Sequence, residues 1–142
     1  MRQQTLATAR ASWRNQMQHV RIRYIVRDVD RSIHFYTRLL AFTLQFRAPK
    51  GFAILEKGWL VLLLSEPGFG AGGSADHRGQ LPTPGGWNRI QVPVLDLAST
   101  YDGLSQAGVS CRTGIVEGRG GKSLLVEDPS GNLVELIEQY LD

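Results

Sequence analysis

Residues 21–28 read Arg-Ile-Arg-Tyr-Ile-Val-Arg-Asp, and residues 89–96, sixty-eight positions later, read Arg-Ile-Gln-Val-Pro-Val-Leu-Asp. Four of the eight positions are identical, and the two stretches align without a gap. An amphipathic stretch in the same phase follows each aspartate. The chain therefore repeats one supersecondary unit, and a functional site is expected at positions that are equivalent in the two copies.

The first copy predicts a strand, a helix and three further strands. Asp28 is expected to cap a helix that runs to about Leu40, because its carboxylate can accept from free amides of the first turn. The strands, recognised by their β-branched and aromatic residues, are Val20–Arg27, Phe42–Arg47, Phe52–Glu56 and Trp59–Ser65. The apolar run Leu60–Leu64 predicts a central strand that is covered on both faces.

The second copy predicts the same order. Asp96 is expected to cap a helix to about Ala107, and Gly108 to end it in the left-handed conformation. The predicted strands are Trp87–Leu95, Val109–Ile115, Lys122–Glu127 and Leu133–Glu138. Between the copies, residues 66–86 contain seven glycines and three prolines, which predicts a loop that is either a linker or a lid.

Composition narrows the possible classes of protein. The 142 residues, 42% hydrophobic with a net charge of +3, are typical of one ordinary globular domain. The single cysteine, Cys111, excludes an intramolecular disulfide and indicates a reducing compartment such as the cytoplasm. No apolar run approaches the ~20 residues that span a membrane, and no nucleic-acid recognition pattern is present. Residues 1–18 predict an N-terminal extension or, alternatively, an organelle transit peptide.

The two strand–helix–three-strand units, their Asp-capped helices and the closing segment DPSGNLVELIE (128–138) together resemble the glyoxalase/bleomycin-resistance/extradiol-dioxygenase superfamily, also called vicinal oxygen chelate proteins. The stretch DVDRSIHFYTRLLAF (28–42) resembles that family's first helix and following turn. The resemblance implies an α+β fold in which two βαβββ modules form a curved mixed sheet around a cleft. It implies a single domain over 19–139, with modules over about 19–65 and 87–139, and a homodimer.

Metal-using members of that family place ligands on the first and last strands of each half. The first-strand ligand is usually a histidine seven residues before the capping aspartate, and these positions here hold Arg21 and Arg89. Glu135 matches the last-strand glutamate of the second half, whereas its counterpart falls near Leu62 or Leu63. Because arginine has no lone pair to donate, no cofactor is expected.

Displaced ligands are the alternative to a metal-free site. His19, Gln91 and Glu135 lie near the family positions in sequence, so a divalent metal on non-standard ligands stays possible.

Strand alternation directs one set of side chains toward the proposed cleft. The predicted ligand-binding residues are Arg21, Arg23, Arg89, Gln91 and Glu135, with Trp87 as a stacking surface. Such a basic cleft favours a neutral aromatic or an anionic small molecule. Alternatively, Arg21, Arg89 and Glu135 form only an ion-pair network that braces the fold. Phe69 could cover the cleft, and His77 beside Asp76 could act as a general base, although a solvated histidine is the simpler interpretation.

Three functions are compatible with these residues. The first is a metal-independent small-molecule-binding protein, with or without an activity. The second is a metal-dependent lyase, isomerase or dioxygenase with non-standard ligands. The third is a dimeric interaction module without a ligand. Because one fold serves many chemistries, the resemblance does not name the substrate.

Overall fold

The computed structural model describes residues 19–140, and the predicted extension over residues 1–18 lies outside them. The chain divides into two compact units, the first ending at Pro84 and the second beginning at Gly85. Each unit contains one four-stranded mixed sheet and one helical segment, so the fold is α+β as predicted. No helix within residues 19–140 is long and apolar enough to cross a membrane.

The first unit is built in the predicted order. Its elements are β1 Val20–Ile25, α1 Val29–His34, β2 Thr43–Arg47, β3 Phe52–Lys57 and β4 Leu60–Ser65. The strand order is β1-β4-β3-β2, with β1 parallel to β4 and the other pairs antiparallel. The predicted central strand is confirmed as β4, whose residues from Val61 to Ser65 are all buried.

Helix α1 begins as the sequence indicates. The Asp28 carboxylate accepts from the amide of Arg31 at 3.1 Å, which confirms the predicted N-cap. The helix widens into a π-helical turn, Phe35–Leu39, instead of continuing as α-helix to Leu40. Ala41 then adopts φ of 61°, a left-handed conformation that costs a non-glycine residue about 1 kcal/mol.

The second unit repeats this architecture. Its elements are β5 Arg89–Pro93, α2 Leu97–Gln106, β6 Val116–Glu117, β7 Gly121–Glu127 and β8 Leu133–Gln139. The strand order β5-β8-β7-β6 corresponds to that of the first unit, with β5 parallel to β8. Asp96 caps α2 by accepting from the amide of Ser99 at 3.1 Å, and Gly108 ends it at φ of 77°, as predicted.

The predicted strand Val109–Ile115 is wrong. Only Cys111 forms an isolated bridge, to Val126, and the edge strand β6 begins at Val116. The backbone amides of Arg112 and Thr113 both donate hydrogen bonds to the carbonyl of Leu125. The Leu125 amide in turn donates to the Thr113 hydroxyl. The Thr113 side chain thus replaces a backbone acceptor, and the regular ladder of hydrogen bonds between two strands cannot continue.

The turn between β7 and β8 is held by one buried carboxylate. Asp128 Oδ1 accepts from the amides of Ser130 and Asn132 at 2.8 and 2.9 Å, and Oδ2 accepts from the Asn132 side chain. Asp128, Ser130 and Asn132 are each at most 5% exposed. The predicted hairpin over this turn is confirmed, and its polar residues serve the turn itself.

Each sheet has one face under its helix and one opposite face, here named the helix-distal face. In the second unit the face under α2 is apolar and buried, with Ile90 and Val92 from β5 and Val134 and Leu136 from β8. Because side chains alternate along a strand, Arg89, Gln91 and Glu135 lie on the helix-distal face. The predicted facing of these three residues within their own sheet is therefore confirmed.

Candidate functional site

Three polar side chains meet on the helix-distal face of the second sheet. The parallel pairing of β5 and β8 sets Gln91 directly opposite Glu135. Gln91 Nε2 donates to Glu135 Oε1 at 2.8 Å, and Arg89 Nε lies 3.9 Å from the same oxygen. The structure thus contains the expected ion pair between Glu135 and Arg89. Arg21 belongs to the first unit, so its part in that network stays a prediction.

In the Arg89–Glu135 ion pair, the arginine is the more exposed partner and forms no hydrogen bond to the carboxylate. The Arg89 side chain is 38% exposed and that of Glu135 is 18% exposed. A separation of 3.9 Å is too long for a hydrogen bond, so the pair is electrostatic only. Within residues 85–140, the Arg89 guanidinium donates no hydrogen bond, and Gln91 is the only hydrogen-bond donor to the Glu135 carboxylate. Both groups retain hydrogen-bonding capacity.

A groove of about 290 Å³ begins at Gln91 and Glu135 and follows the ends of β7 and β8. We name it the β7–β8 groove. Its lining comprises Gln91, Val116, Gly118, Gly120, Gly121, Lys122, Ser123, Glu135, Ile137, Glu138 and Gln139. Ile137 and Val116 give it an apolar part. Sequence reasoning found the polar end of this groove and missed the Val116–Ser123 wall, because no repeat position marks that segment.

The helix-distal face of the first sheet carries Arg21 and Arg23, as the alternation predicted. Arg21 lies opposite Val61 and Arg23 opposite Leu63. Burial, and secondly the charge of Arg23, lower the pKa of Arg21. The Arg23 guanidinium packs against the backbone at Gly72, where a Cβ would come within 2.5 Å of its Cζ.

The beginning of the glycine-rich loop is attached to the first unit. The Glu66 carboxylate accepts from the amide of Val29 at 2.8 Å, and the Glu66 amide donates to the Gly51 carbonyl at 2.9 Å. The Phe69 side chain packs directly over Gly51, where a Cβ would lie 2.5 Å from the ring. Phe69, predicted as a possible cover, thus lies on the turn between β2 and β3.

Trp87 precedes β5 and is 67% exposed. The guanidinium carbon of Arg112 lies 5.0 Å from its ring centroid, and Arg112 also pairs with Glu127. One face of the Trp87 ring is therefore in contact with a cation. Arg112 and Glu127 were missed because both were assigned to regular strands, Val109–Ile115 and Lys122–Glu127, and neither strand was expected to carry a site.

The histidines do not assemble a catalytic pair. The Asp76 carboxylate accepts from the amides of Arg78 and Gln80, so it organises a turn, and His77 beside it is exposed. His19 Nδ1 lies 3.9 Å from Glu56 Oε1, and its ring meets Trp59 edge-on. This nitrogen is buried and has no hydrogen-bond partner among the described residues.

The family's metal positions hold an unsuitable set of donors. Gln91 lies opposite Glu135 and the repeat-equivalent Arg23 lies opposite Leu63, so Leu63 corresponds to Glu135. The four positions thus contain two guanidinium groups, one isobutyl group and one carboxylate. Within residues 19–140, no three His, Cys, Asp or Glu residues are grouped to hold a metal. A divalent ion needs several lone-pair donors, and these residues do not fit it.

The sequence profile of the Glyoxalase/Bleomycin resistance protein/Dioxygenase superfamily matches residues 16–136. The chain belongs to this superfamily. None of the curated proteins with which it was compared matches it. The superfamily assignment agrees with the two repeated units, and it leaves the reaction and ligand open.

Solved structures share this superfamily fold at low sequence identity. Virulence protein STM3117 from Salmonella typhimurium is 24% identical with a TM-score of 0.68, covering 84% of this chain and 94% of that protein. Lactoylglutathione lyase from Agrobacterium tumefaciens is 18% identical with a TM-score of 0.66, covering 84% and 91%. TnmS3, an antibiotic binding protein from Streptomyces sp. CB03234, is 19% identical with a TM-score of 0.65, covering 86% and 95%.

Proposed function

We propose that this glyoxalase-superfamily protein binds a small anionic or neutral aromatic molecule, without a metal, on the helix-distal face of its second sheet. The residues that bind it are Arg89, Gln91 and Glu135, with the β7–β8 groove receiving the apolar part of the ligand. We propose Arg21 and Arg23, on the helix-distal face of the first sheet, as further ligand-binding residues of that unit.

The observation that carries this proposal is the unfilled hydrogen-bonding capacity of Arg89, which lies beside Glu135 at the polar end of the β7–β8 groove. Its guanidinium has five N–H donors, none of which is used within residues 85–140. Arginine binds carboxylate and phosphate groups through pairs of such donors. The apolar Ile137 and Val116 suit a ring or a short hydrocarbon chain.

The similar proteins support ligand binding without defining it. TnmS3 is an antibiotic binding protein with this fold, which supports a binding function for this chain. The enzymatic alternative is a metal-dependent lyase, isomerase or dioxygenase, and a lactoylglutathione lyase is among the solved structures with this fold. The arginines at the family's metal positions favour the binding function over that alternative. We also propose that the protein is a homodimer, which size-exclusion chromatography with light scattering tests. We propose that it is cytoplasmic, which cell fractionation tests.

A thermal-shift series tests the binding function. The probes are 3-phenylpropanoate as an anionic aromatic, 3-phenylpropanamide as a neutral aromatic and 3-phenylpropylamine as a cation. A ligand that binds only the native state raises the melting temperature. The acid or the amide is expected to stabilise the protein and the amine is not.

Arg89→Met is expected to remove the stabilisation by the acid, because the guanidinium is its anion partner. Arg31→Met is the matched control, since Arg31 is an exposed arginine on α1 of the first unit. A melting temperature that none of the probes changes, or that the amine raises most, contradicts the proposed function.

A further inference from the structure

The Arg89–Glu135 pair presents opposite charges to one small space. Arg89 Nε and Glu135 Oε1 are 3.9 Å apart, and no hydrogen bond joins them. A simple anion that approaches Arg89 therefore comes close to a carboxylate as well. A simple cation that approaches Glu135 comes close to a guanidinium. Neither kind of ligand suits both groups.

The Glu135 carboxylate has capacity left for a ligand. Its Oε1 accepts from Gln91 Nε2 at 2.8 Å, and within residues 85–140 no group donates a hydrogen bond to Oε2. An ionised carboxylate can accept about four hydrogen bonds, so one filled position leaves most of this capacity unused. With 18% of its side chain exposed, Glu135 gains from a donor supplied by a ligand.

Gln91 fixes which part of the carboxylate is available. Because the Gln91 amide nitrogen donates to Oε1, it holds this oxygen on the β5 side of the pair. Ile137 follows Glu135 on the same face of β8 and lies opposite Ser123 of β7. The apolar part of a ligand held at Glu135 can thus continue over Ile137 into the β7–β8 groove.

We propose, on the basis of the binding function above, that the ligand is a carboxylic acid with an O–H or N–H donor on the adjacent carbon. Its carboxylate binds Arg89, its donor binds Glu135, and its apolar substituent lies in the β7–β8 groove. The short separation of the two protein groups requires the two ligand groups to be adjacent. Glu135 is then the residue that selects for the donor.

Four probes with the same ring test this specificity by isothermal titration. The donor-bearing acids are 3-phenyllactate, with a hydroxyl, and phenylalanine, with an ammonium group. 3-Phenylpropanoate lacks the donor, and 3-phenyllactamide lacks the acid. At least one donor-bearing acid is expected to bind about tenfold tighter than 3-phenylpropanoate, because a hydrogen bond to a charged group is a strong one. 3-Phenyllactamide is expected to bind weakly.

The Glu135→Gln variant is expected to change the affinities for two kinds of probe in opposite directions. A purely structural role of Glu135 would not produce opposite changes. The donor-bearing acid should bind several-fold more weakly, while 3-phenylpropanoate should bind more tightly because a repelling charge is gone. Asp102→Asn, on the exposed side of α2, is the matched control and should change neither. The comparison of probes on the unaltered protein remains decisive if the variant does not fold.

The outcomes separate the two proposals. Equal affinity for 3-phenyllactate, phenylalanine and 3-phenylpropanoate, or equal effects of Glu135→Gln on all of them, overturns the selection by Glu135 and leaves the binding function standing. Binding of the neutral 3-phenyllactamide alone overturns the requirement for a carboxylate and likewise leaves the binding function standing. Absence of binding by every probe overturns both.

Discussion

The carboxylate of Glu138 accepts a hydrogen bond from the backbone amide of Leu97 over 2.8 Å. The first unit contains the same arrangement, in which Glu66 accepts from the amide of Val29, also over 2.8 Å. Each bond satisfies an amide of the first helical turn, which has no partner inside the helix. It also places a negative charge near the positive end of the helix dipole. The two units therefore share one way of attaching a helix to the end of the sheet.

Replacing Glu138 should destabilise the protein. Glu138→Ala leaves the Leu97 amide without its acceptor and is expected to lower the free energy of unfolding by about 1–2 kcal/mol. Glu138→Gln should cost less, because its amide oxygen can still accept. Urea denaturation measures both, with the exposed neighbour Gln139→Ala as control. Equal losses for Glu138→Ala and Gln139→Ala would show that the bond adds nothing to stability.

Gly121 is required by close packing of two strands. A Cβ at this position would lie 2.1 Å from the carbonyl oxygen of Glu138, whereas one at Gly120 would meet nothing within 4 Å. Gly121→Ala must therefore push β7 away from β8, at an expected cost near the upper end of about 1–3 kcal/mol. Gly120→Ala should be nearly neutral. Thermal melts of the two variants check this contrast, and similar melting temperatures would refute it.

Elemental analysis of the purified protein is expected to find no stoichiometric transition metal. The reason is the guanidinium groups of Arg21 and Arg89, which repel a cation and donate no lone pair. Arg89→His places an imidazole beside Glu135 and should raise the affinity for Zn²⁺ measurably. A stoichiometric metal in the unaltered protein that is lost in Glu135→Ala would overturn this prediction.

The thiol of Cys111 should make the stability of the protein fall as the pH rises in the alkaline range. Burial raises the pKa of Cys111, so the folded state disfavours the thiolate. The contribution of the protonated Cys111 thiol to the free energy of unfolding is fully present below the ordinary pKa of a thiol. It is lost as the pH rises through the raised pKa. Urea midpoints should therefore fall more steeply at alkaline pH for the unaltered protein than for Cys111→Ala. Parallel curves for the two proteins would contradict this.

The fold could be predicted where local signals agreed with the repeat. Asp28 and Asp96 each start a helix because a short carboxylate needs only the neighbouring amides. Period-two alternation placed Arg89 and Gln91 on one face of their strand without knowledge of any distant contact, and the family resemblance pointed to Glu135. The Glu135–Gln91 hydrogen bond then follows from strand register, which the repeat alone does not give.

The parts of the structure that the sequence did not predict depend on contacts between residues that are distant in sequence. Nothing in the neighbourhood of Val109–Ile115 reveals that the Thr113 hydroxyl takes the place of a backbone acceptor for Leu125. The position of Arg112 over Trp87 is a consequence of that irregular path. Likewise, Glu66 stands next to a glycine-rich loop and looks solvated until the Val29 amide is found beside it.

The spacing of the shared helix attachment differs between the two copies. Val29 and Leu97 are sixty-eight positions apart, but their partners Glu66 and Glu138 are seventy-two apart. The two copies therefore differ in length between these residues, and both still form the bond. Much of the difference falls in the irregular segment between α2 and β7, whose residues Val116, Gly118 and Gly120 form one wall of the β7–β8 groove. The first unit uses its corresponding segment differently, because the turn between β2 and β3, from Ala48 to Gly51, lines a pocket together with Glu66 and Phe69.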